Sequence, residues 1–337
     1  MNSVNPAIAE SVHTELARRW PEGSVSPVVE LAGGRSGVTL AAEVSIDDGP
    51  IPLAIKAVPP GRRPVGRHDL RRQIRAMRLA REHGIAVPEV LLEHDAPAGG
   101  REGVTFYAMR RVAGEAVEPV LDDSPTDFAP DLVTKRAYAA ADMLAAMHAI
   151  PGVPGGDEGP EPVATLADEL ARWRATADAA DPEILRHGER LGALLERRLV
   201  GHDPDPAFVH GDFRLGNIVF DGTEPTGLID WEIWGHTAPG IDVGWFLVFC
   251  NPELFPGIGA PVRGMPPSSA LVERYLASGG RPIDDLPFYE AFGRFKMAAI
   301  MAHNLRRHRE GRHHDPFQEK LPPTIEQLSV SAIDQIS

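Results

Sequence analysis

Alternating apolar and polar positions dominate the first third of the chain and predict a small β-sheet. The alternation runs through "SPVVELAGG", "GVTLAAEVSI" and "IPLAIKAV", and the intervening "GGRS" and "DDGP" are typical of turns. "AVPEVLLEH" and "GVTFYAMRRV" predict two more strands. Helical spacing predicts a helix over roughly 68–83, ending at Gly84. We therefore expect about five strands and one inserted helix over residues 25–112, after a helix at 5–20.

Helical spacing takes over after Gly114 and predicts a second, mainly helical region. Between the helices, "FVHGDFRLGNIVFDGTEPTGLIDWE" predicts short strands joined by polar loops. The expected plan is a β-rich lobe over 1–112 and a helical lobe over 113–337, and sites often form where two lobes meet. The helices of the second lobe are predicted at 130–149, 165–199, 267–278, 285–310 and 323–335.

The loops of that quoted stretch carry several oxygen-bearing side chains. The hairpin turn "DGTEPTG" returns the chain beside its start, so we expect Asp230 to lie near Asp212 and Asn217. Convergent carboxylate and amide oxygens suit Mg²⁺, and a further carboxylate can accept a hydroxyl proton. A self-capping polar turn explains any one of these residues more simply. The whole set in this order favours a site.

Composition and charge exclude several classes of protein. The chain has 337 residues with 43% apolar and 24% charged residues, as in a soluble globular enzyme. A formal net charge of −14 argues against general binding to nucleic acid or anionic membranes, and no apolar run reaches the roughly 18 residues of a membrane helix. The single cysteine, Cys250, indicates a reducing cytoplasm and a role as a core hydrophobe. The oligomeric state does not follow from these features.

The segments "HGDFRLGN" and "LIDWE" resemble the catalytic loop and metal motif of the aminoglycoside phosphotransferase family. That family has the two-lobed α+β fold of protein kinases, with a small β-rich N-lobe and a larger helical C-lobe. The resemblance implies that Asp212 is the catalytic base and that Asn217 and Asp230 hold magnesium. It also implies that His210 supports the loop and that Asp242, in "PGIDVGW", braces it from behind. A helix cap is the simpler interpretation of Asp242.

The resemblance extends to the first lobe and implies an ATP site there. "LAIKAV" places Lys56 inside an apolar strand, where the kinase lysine binds the α- and β-phosphates of ATP. "ELAGGRSGVTLAAEV" takes the place of the loop that covers the nucleotide, although "GGRSG" is also an ordinary hairpin turn. "FYAMRRVAGE" corresponds to the strand that leads to the link between lobes, and its end is also a simple strand exit. The residues implied in nucleotide binding are Lys56, Gly33, Gly34, Ser36, Gln73, Met109 (behind the adenine), and Arg110 and Val112 (backbone groups on its edge).

Two features depart from the family pattern. Kinase-like folds pair the strand lysine with a glutamate, but the matching position is Gln73, which lies on the apolar side of its helix. A glutamine can accept a hydrogen bond from Lys56 but supplies no charge. Eight arginines within 62–81 form either a solvated face, the simpler interpretation, or an anion site.

Arg214, directly after the catalytic loop's Asp212 and Phe213, has two interpretations. It contacts the γ-phosphate or the acceptor, or it forms a surface salt bridge.

The function expected from these residues is ATP- and Mg²⁺-dependent phosphate transfer to a hydroxyl of a small molecule. The family name suggests aminoglycosides as acceptors. The "HGDFR…GN…DWE" version with its late "FYEAFGRFK" helix looks closer to kinase domains fused to acyl-CoA dehydrogenases, which implies hydroxyacyl acceptors. Choline, homoserine and macrolide kinases are further relatives. The alternative of another class is a catalytically silent nucleotide-binding module, which Gln73 supports.

Overall fold

The structure is a computed structural model that divides the chain into two compact units. Unit 1 comprises residues 1–113 and 226–232, and unit 2 comprises 114–225 and 233–337. The described residues are 5–31, 38–58, 66, 69–96, 104–122, 128–152, 161–199 and 204–337.

Unit 1 is built on a six-stranded antiparallel sheet. Along the sheet the strands lie in the order β1 (Ser24–Val25), β3 (Val38–Ile46), β4 (Gly49–Ala57), β6 (Phe106–Arg110) and β5 (Val90–His94), and β2 (Val29–Glu30) pairs with β3. The first predicted strand contains β2, whereas β1 precedes it on the other side of Pro27, which has no N–H to donate to a sheet ladder. The helices of unit 1 are α1 (Pro6–Arg19) and α2 (Leu70–Glu82).

The core of unit 1 forms where α1 packs on one face of the sheet. Ile8, Val12 and Leu16 recur four residues apart on α1 and are buried, as an amphipathic helix requires. Their partners include Leu40, Val44, Leu53, Ile55, Phe106 and Ala108 from β3, β4 and β6. Alternation along β4 buries Leu53, Ile55 and Ala57, so the intervening Lys56 points to the other face.

Unit 2 is mainly helical. The region predicted at 165–199 is divided into two helices, and the break contains Pro182, which cannot continue a helix interior. Strand β9 carries the chain from unit 2 back into unit 1. The remaining elements are α3 (Pro130–His148), α4 (Leu166–Asp178), α5 (Gly188–Arg198), β7 (Ala207–Val209), β8 (Ile218–Asp221), β9 (Glu224–Leu228), β10 (Gly235–Thr237), α6 (Gly240–Phe249), α7 (Ser268–Ala277), α8 (Leu286–Arg309) and α9 (Pro322–Ile336).

The apolar pattern did not predict helix α6 of unit 2. All ten of its residues, Gly240–Phe249, are buried, so its sequence shows no alternation between apolar and polar faces. It packs against α8, and Gly244 allows the close approach because a Cβ there would lie 2.2 Å from the Tyr289 carbonyl oxygen. The prediction of a small β-rich lobe and a larger helical lobe is confirmed. In the described part of the chain, no helix has the length and apolarity to cross a membrane.

Candidate active site

In unit 1, the ammonium of Lys56 is held between two carboxylates. Lys56 Nζ lies 2.8 Å from Asp230 Oδ1 and 2.5 Å from Glu232 Oε1. Both acids follow β9, and the side chains of Lys56 and Glu232 are each only 13% exposed. Burial alone would lower the pKa of Lys56, but the charges of Asp230 and Glu232 raise that pKa well above its ordinary value. Lys56 is therefore a permanently charged group that can bind an anion.

Gln73 points into unit 1, as predicted, and its hydrogen-bond partner is a tyrosine. It is 1% exposed, and its Oε1 accepts a hydrogen bond of 3.3 Å from the Tyr107 hydroxyl. Burial raises the pKa of Tyr107 to about 12, so this hydroxyl stays protonated and donates. The second negative charge at Lys56 thus comes from Glu232 and not from α2. Asp69, one turn before Gln73, is not such a partner of Lys56, because it caps the N-terminus of α2 by accepting from the Arg71 N–H.

Asp230 has the backbone conformation of a residue held in place by its surroundings. Its φ is +68°, in the left-handed region that non-glycine residues rarely adopt. Strained backbone of this kind clusters at functional sites. Its carboxylate is 41% exposed, so it remains accessible while it accepts the bond from Lys56.

The other nucleotide-binding residues predicted for unit 1 differ in what the structure shows. Met109 and Arg110 end β6, and the Arg110 N–H already donates to the Glu89 carbonyl oxygen at 2.8 Å. Val112 follows the strand and is half-buried. The three predicted loop residues, Gly33, Gly34 and Ser36, lie outside the described residues, as do Arg62, Arg63 and Arg67 of the arginine-rich segment.

In unit 2, the carboxylate of Asp212 is held from two sides. Trp245 Nε1 donates to Oδ1 at 2.7 Å, and Asn217 Nδ2 donates to Oδ2 at 2.9 Å. Asn217 Nδ2 also donates to the Asp212 carbonyl oxygen at 2.8 Å. The Asp212 side chain is 22% exposed, so a substrate hydroxyl can reach it. The structure therefore brings Asp212 and Asn217 together, as the sequence predicted for this pair.

Asp242 binds the backbone just before Asp212. Its two oxygens accept from the N–H groups of His210 and Gly211, each at 2.7 Å. Gly211 has a φ of +81°, and a Cβ there would lie 2.2 Å from the Ile233 carbonyl oxygen, so only glycine fits. The His210 ring is fully buried, and its Nδ1 accepts from the Asp212 N–H at 3.2 Å. Asp242 and His210 thus stabilise the loop through hydrogen bonds to its backbone.

A buried histidine supports Asp242 in turn. His148 on α3 lies with Nε2 3.5 Å from Asp242 Oδ2 and Nδ1 2.8 Å from the Tyr275 hydroxyl. Burial alone would raise the pKa of Asp242, but hydrogen bonds and charge from His148 and His210 hold that pKa below its usual range. Asp242 is therefore ionised and accepts hydrogen bonds at neutral pH.

Arg214 pairs with a deeply buried carboxylate. Its Nη1 lies 3.3 Å from Glu118 Oε2, which also accepts from the Gly216 N–H at 3.1 Å, and its Nε lies 3.5 Å from Asp212 Oδ1. Burial raises the pKa of Glu118 to about 7 despite the opposing charge of Arg214. Arg214 is thus an internal ion-pair partner and not the surface salt bridge that its simpler interpretation assumed.

Lys296 on α8 is a functional candidate that the sequence analysis missed. It is 2% exposed, its Nζ donates to the Gly211 carbonyl oxygen, and it lies 3.7 Å from the ring centroid of Trp245. Burial lowers its pKa to about 8, although the charges of Asp212, Glu169 and Asp242 oppose the change. The available signal was a lysine within the apolar run "AFGRFKMAAI", the same signal that identified Lys56.

Each unit contains an oxygen donor of the kind that magnesium prefers over softer ligands. Among the described residues, no group of three or more His, Cys, Asp or Glu side chains could hold a metal. Asp230 offers an accessible carboxylate, and Asn217 uses its amide nitrogen toward Asp212, which leaves its oxygen on the opposite side of the amide. Magnesium takes one or two protein oxygens and completes its shell with water and substrate phosphates. Asp230 and Asn217, each within its own unit, therefore have the donor chemistry of a magnesium ligand.

Comparison with curated proteins identifies relatives that are much longer than this chain. Acyl-CoA dehydrogenase family member 11 of Gallus gallus is 28% identical over 250 residues, which cover 69% of this chain and 31% of that protein. Acyl-CoA dehydrogenase family member 10 of Mus musculus is 27% identical over 261 residues, or 74% of this chain and 24% of that protein. The chain thus spans from 24% to 31% of the length of these two relatives.

Solved structures share the fold over nearly the whole chain. A protein of Ralstonia eutropha assigned to the aminoglycoside phosphotransferases has a TM-score of 0.73 at 22% identity, with 96% of this chain and 98% of that chain covered. A mutant of aminoglycoside phosphotransferase APH(4)-Ia, in a ternary complex with ADP and hygromycin B, has a TM-score of 0.61 at 15% identity, with 94% and 98% covered. These likenesses confirm the kinase-like fold. The model of the phosphotransferase enzyme family matches residues 44–292, and the chain belongs to that family.

Proposed function

We propose that this protein transfers the γ-phosphate of ATP to a hydroxyl of a small molecule, in a magnesium-dependent reaction. The observation that supports this most is Asp212, an accessible carboxylate held by Trp245 and Asn217 on a loop that Asp242 braces. A fixed carboxylate within reach of a hydroxyl is what general-base assistance to phosphate transfer requires.

Each residue has one role in the proposed reaction. Asp212 accepts the proton of the acceptor hydroxyl while the hydroxyl oxygen forms a bond to the γ-phosphorus, and the bond to the β–γ bridging oxygen breaks to release ADP. Lys56 binds the α- and β-phosphates with its permanent charge. Arg214, 3.5 Å from Asp212 at its Nε, lies on the same loop and contributes positive charge near the base. Val112 is assigned to the adenine edge, because the Arg110 N–H is engaged by Glu89.

Asn217 and Asp230 are the proposed magnesium ligands. When bound, the ion neutralises charge on the β- and γ-phosphates and orients them. In this role Asp230 has two cations to bind, the metal and Lys56, through its exposed carboxylate.

Two classes of acceptor are supported by the comparisons. One structural neighbour was solved with ADP and the aminoglycoside hygromycin B. The curated relatives are members of the acyl-CoA dehydrogenase family, which favours a hydroxyacyl acceptor as the second candidate. Both classes offer a hydroxyl, which is the group whose proton Asp212 would accept.

The test is transfer of phosphate from γ-labelled ATP with Mg²⁺, using hygromycin B, other aminoglycosides, a macrolide, choline, homoserine and 3-hydroxyacyl-CoA thioesters as acceptors. We expect one class to be phosphorylated and Asp212→Asn to lower kcat by at least about 10²-fold while ATP still binds. Asp221→Asn, at an exposed carboxylate of β8, is the matched control and should retain activity. Binding of ATP and Mg²⁺ without transfer to any acceptor would favour the silent nucleotide-binding module.

A further inference from the structure

A buried cation lies beneath the loop that carries Asp212. Lys296 Nζ donates to the carbonyl oxygen of Gly211, the residue directly before Asp212. Its ammonium also lies over two indole rings, 3.7 Å from the centroid of Trp245 and 4.9 Å from that of Trp173. The described part of the chain gives Lys296 no carboxylate at ion-pair distance, so a carbonyl and two aromatic faces replace the usual partner.

A buried ammonium without a carboxylate partner does not by itself stabilise the fold. Taking an ammonium out of water without a carboxylate partner is unfavourable, and apolar replacements of buried charges are often neutral or stabilising. Phe292 and Phe295 on the same helix show that apolar side chains fill neighbouring positions of α8 well. Packing therefore does not explain why position 296 is a lysine.

That reason is found on the far side of Trp245. The edge of this indole donates its N–H to Asp212 Oδ1 at 2.7 Å, while its face receives the Lys296 ammonium. A cation on the face of an indole withdraws electron density from the ring and strengthens donation by its N–H. Lys296 thus acts on Asp212 along two short routes, through the Gly211 carbonyl and through the Trp245 indole.

We propose that Lys296 and Trp245 form a positioning pair that fixes the carboxylate of Asp212 in the orientation that an acceptor hydroxyl requires. The kinetic effect expected of this pair rests on the proposed function. Its structural role rests on the contacts described above. Lys296 and Trp245 are positioning residues, since they act through Asp212 and not on the reacting atoms. Asn217 holds the second carboxylate oxygen, so both oxygens have a defined direction before substrate binds.

The kinetic test replaces each partner by a residue of similar shape. Lys296→Met removes the charge and keeps the stem, and Trp245→Phe removes the N–H and keeps a ring. With hygromycin B or a 3-hydroxyacyl-CoA, whichever the wild-type chain phosphorylates, each should lower kcat about 10- to 100-fold and leave the KM for ATP within about twofold, because loss of orientation affects the chemical step.

The matched control is Arg294→Met, two residues earlier on α8. Arg294 is also largely buried and also donates to a backbone carbonyl, that of Ser331 on α9 at 3.1 Å. Its replacement removes a cation from the same helix without touching the catalytic loop, so kcat should stay within about twofold of wild type. Wild-type kcat in Trp245→Phe, or an equal loss in Arg294→Met, would overturn the proposal.

A spectroscopic test needs no acceptor and separates this proposal from the proposed function. The five tryptophans give five indole N–H resonances, and Trp245→Phe identifies its own by loss. We expect that resonance to move in Asp212→Asn and in Lys296→Met but to stay in Arg294→Met. If no acceptor is phosphorylated, the proposed function fails and this result alone decides the positioning pair. An unmoved resonance in Asp212→Asn and Lys296→Met contradicts it.

Discussion

The two buried lysines of this protein show how two surroundings make different groups from one side chain. Lys56 lies between Asp230 and Glu232, and its pKa is raised well above the ordinary value of a lysine. Lys296 lies between a carbonyl oxygen and two indole rings, and burial lowers its pKa to about 8. Both are at most 13% exposed, so burial alone does not explain the difference. The full negative charges beside Lys56 do.

The difference suits the two proposed tasks. A lysine that binds phosphate must stay charged when the nucleotide leaves, and two carboxylates ensure this. A lysine that orients an indole and a carbonyl needs only a weak, directional contact. A carboxylate beside it would compete with Asp212 for the same donors.

Lys56→Met should have the largest effect, because it removes a charge that the transferred phosphates need. We expect kcat/KM for ATP to fall about 10²- to 10³-fold, or roughly 3–4 kcal/mol, as for loss of other groups that stabilise transition-state charge. Steady-state kinetics at saturating acceptor measures this. Lys135→Met, on the exposed face of α3, is the control and should keep wild-type values. Equal losses in both variants would show that bulk charge, and not the Lys56 site, is responsible.

The lowered pKa of Lys296 predicts a stability that rises with pH. Between about pH 8 and 10.5, the unfolded chain holds a proton on this lysine that the folded protein has lost. The free energy of unfolding should therefore rise through this window, by up to about 3 kcal/mol, relative to Lys296→Met. Urea unfolding of both proteins at pH 7.5, 9 and 10.5 measures the difference, which cancels the titration of tyrosines common to both. A constant difference would show that Lys296 is charged throughout.

Loss of one carboxylate beside Lys56 should have a smaller effect than loss of the lysine. Glu232→Gln removes one of the two carboxylates that bind Lys56 and leaves Asp230 in place. Because Lys56 then pairs with Asp230, the Asp230 carboxylate is less available to a metal ion. We expect kcat/KM for ATP to fall about 10-fold, or roughly 1.4 kcal/mol, as for loss of one charge-assisted bond. Glu224→Gln, at an exposed acid on β9, is the control. An unchanged value would remove Glu232 from the site.

The fold and half of the site were predictable from local pattern. Period-two alternation located the main strands of unit 1, and the spacing of Asp212 and Asn217 identified a pair that the structure joins through hydrogen bonds. These features are encoded within a few residues of one another. Helix α6 was not predicted, because a helix that is buried on every side has no polar face to show the helical period.

The contacts that remained hidden join distant parts of the chain. Lys296 and Gly211 are 85 residues apart, and Glu118 and Arg214 are 96 apart. No spacing rule connects such pairs, since tertiary packing alone brings them together. Glu232 ends the "LIDWE" segment, two positions after Asp230. Its contact with Lys56, 176 residues earlier (232 − 56), required the fold.

Gln73→Glu should have the smallest effect and tests whether Lys56 is already fully neutralised. If Asp230 and Glu232 suffice, a glutamate on α2 restores the family pattern without benefit, and kcat/KM for ATP should change less than threefold. Stability should fall by about 1 kcal/mol, because a carboxylate replaces a buried amide that accepts from the Tyr107 hydroxyl. Kinetics and urea unfolding of Gln73→Glu, alone and combined with Glu232→Gln, measure both quantities. A rise in kcat/KM above threefold in the single variant would show that Lys56 lacks charge. Rescue confined to the double variant would show that Glu232 performs in this chain the task that a glutamate on the helix performs in other kinase-like folds.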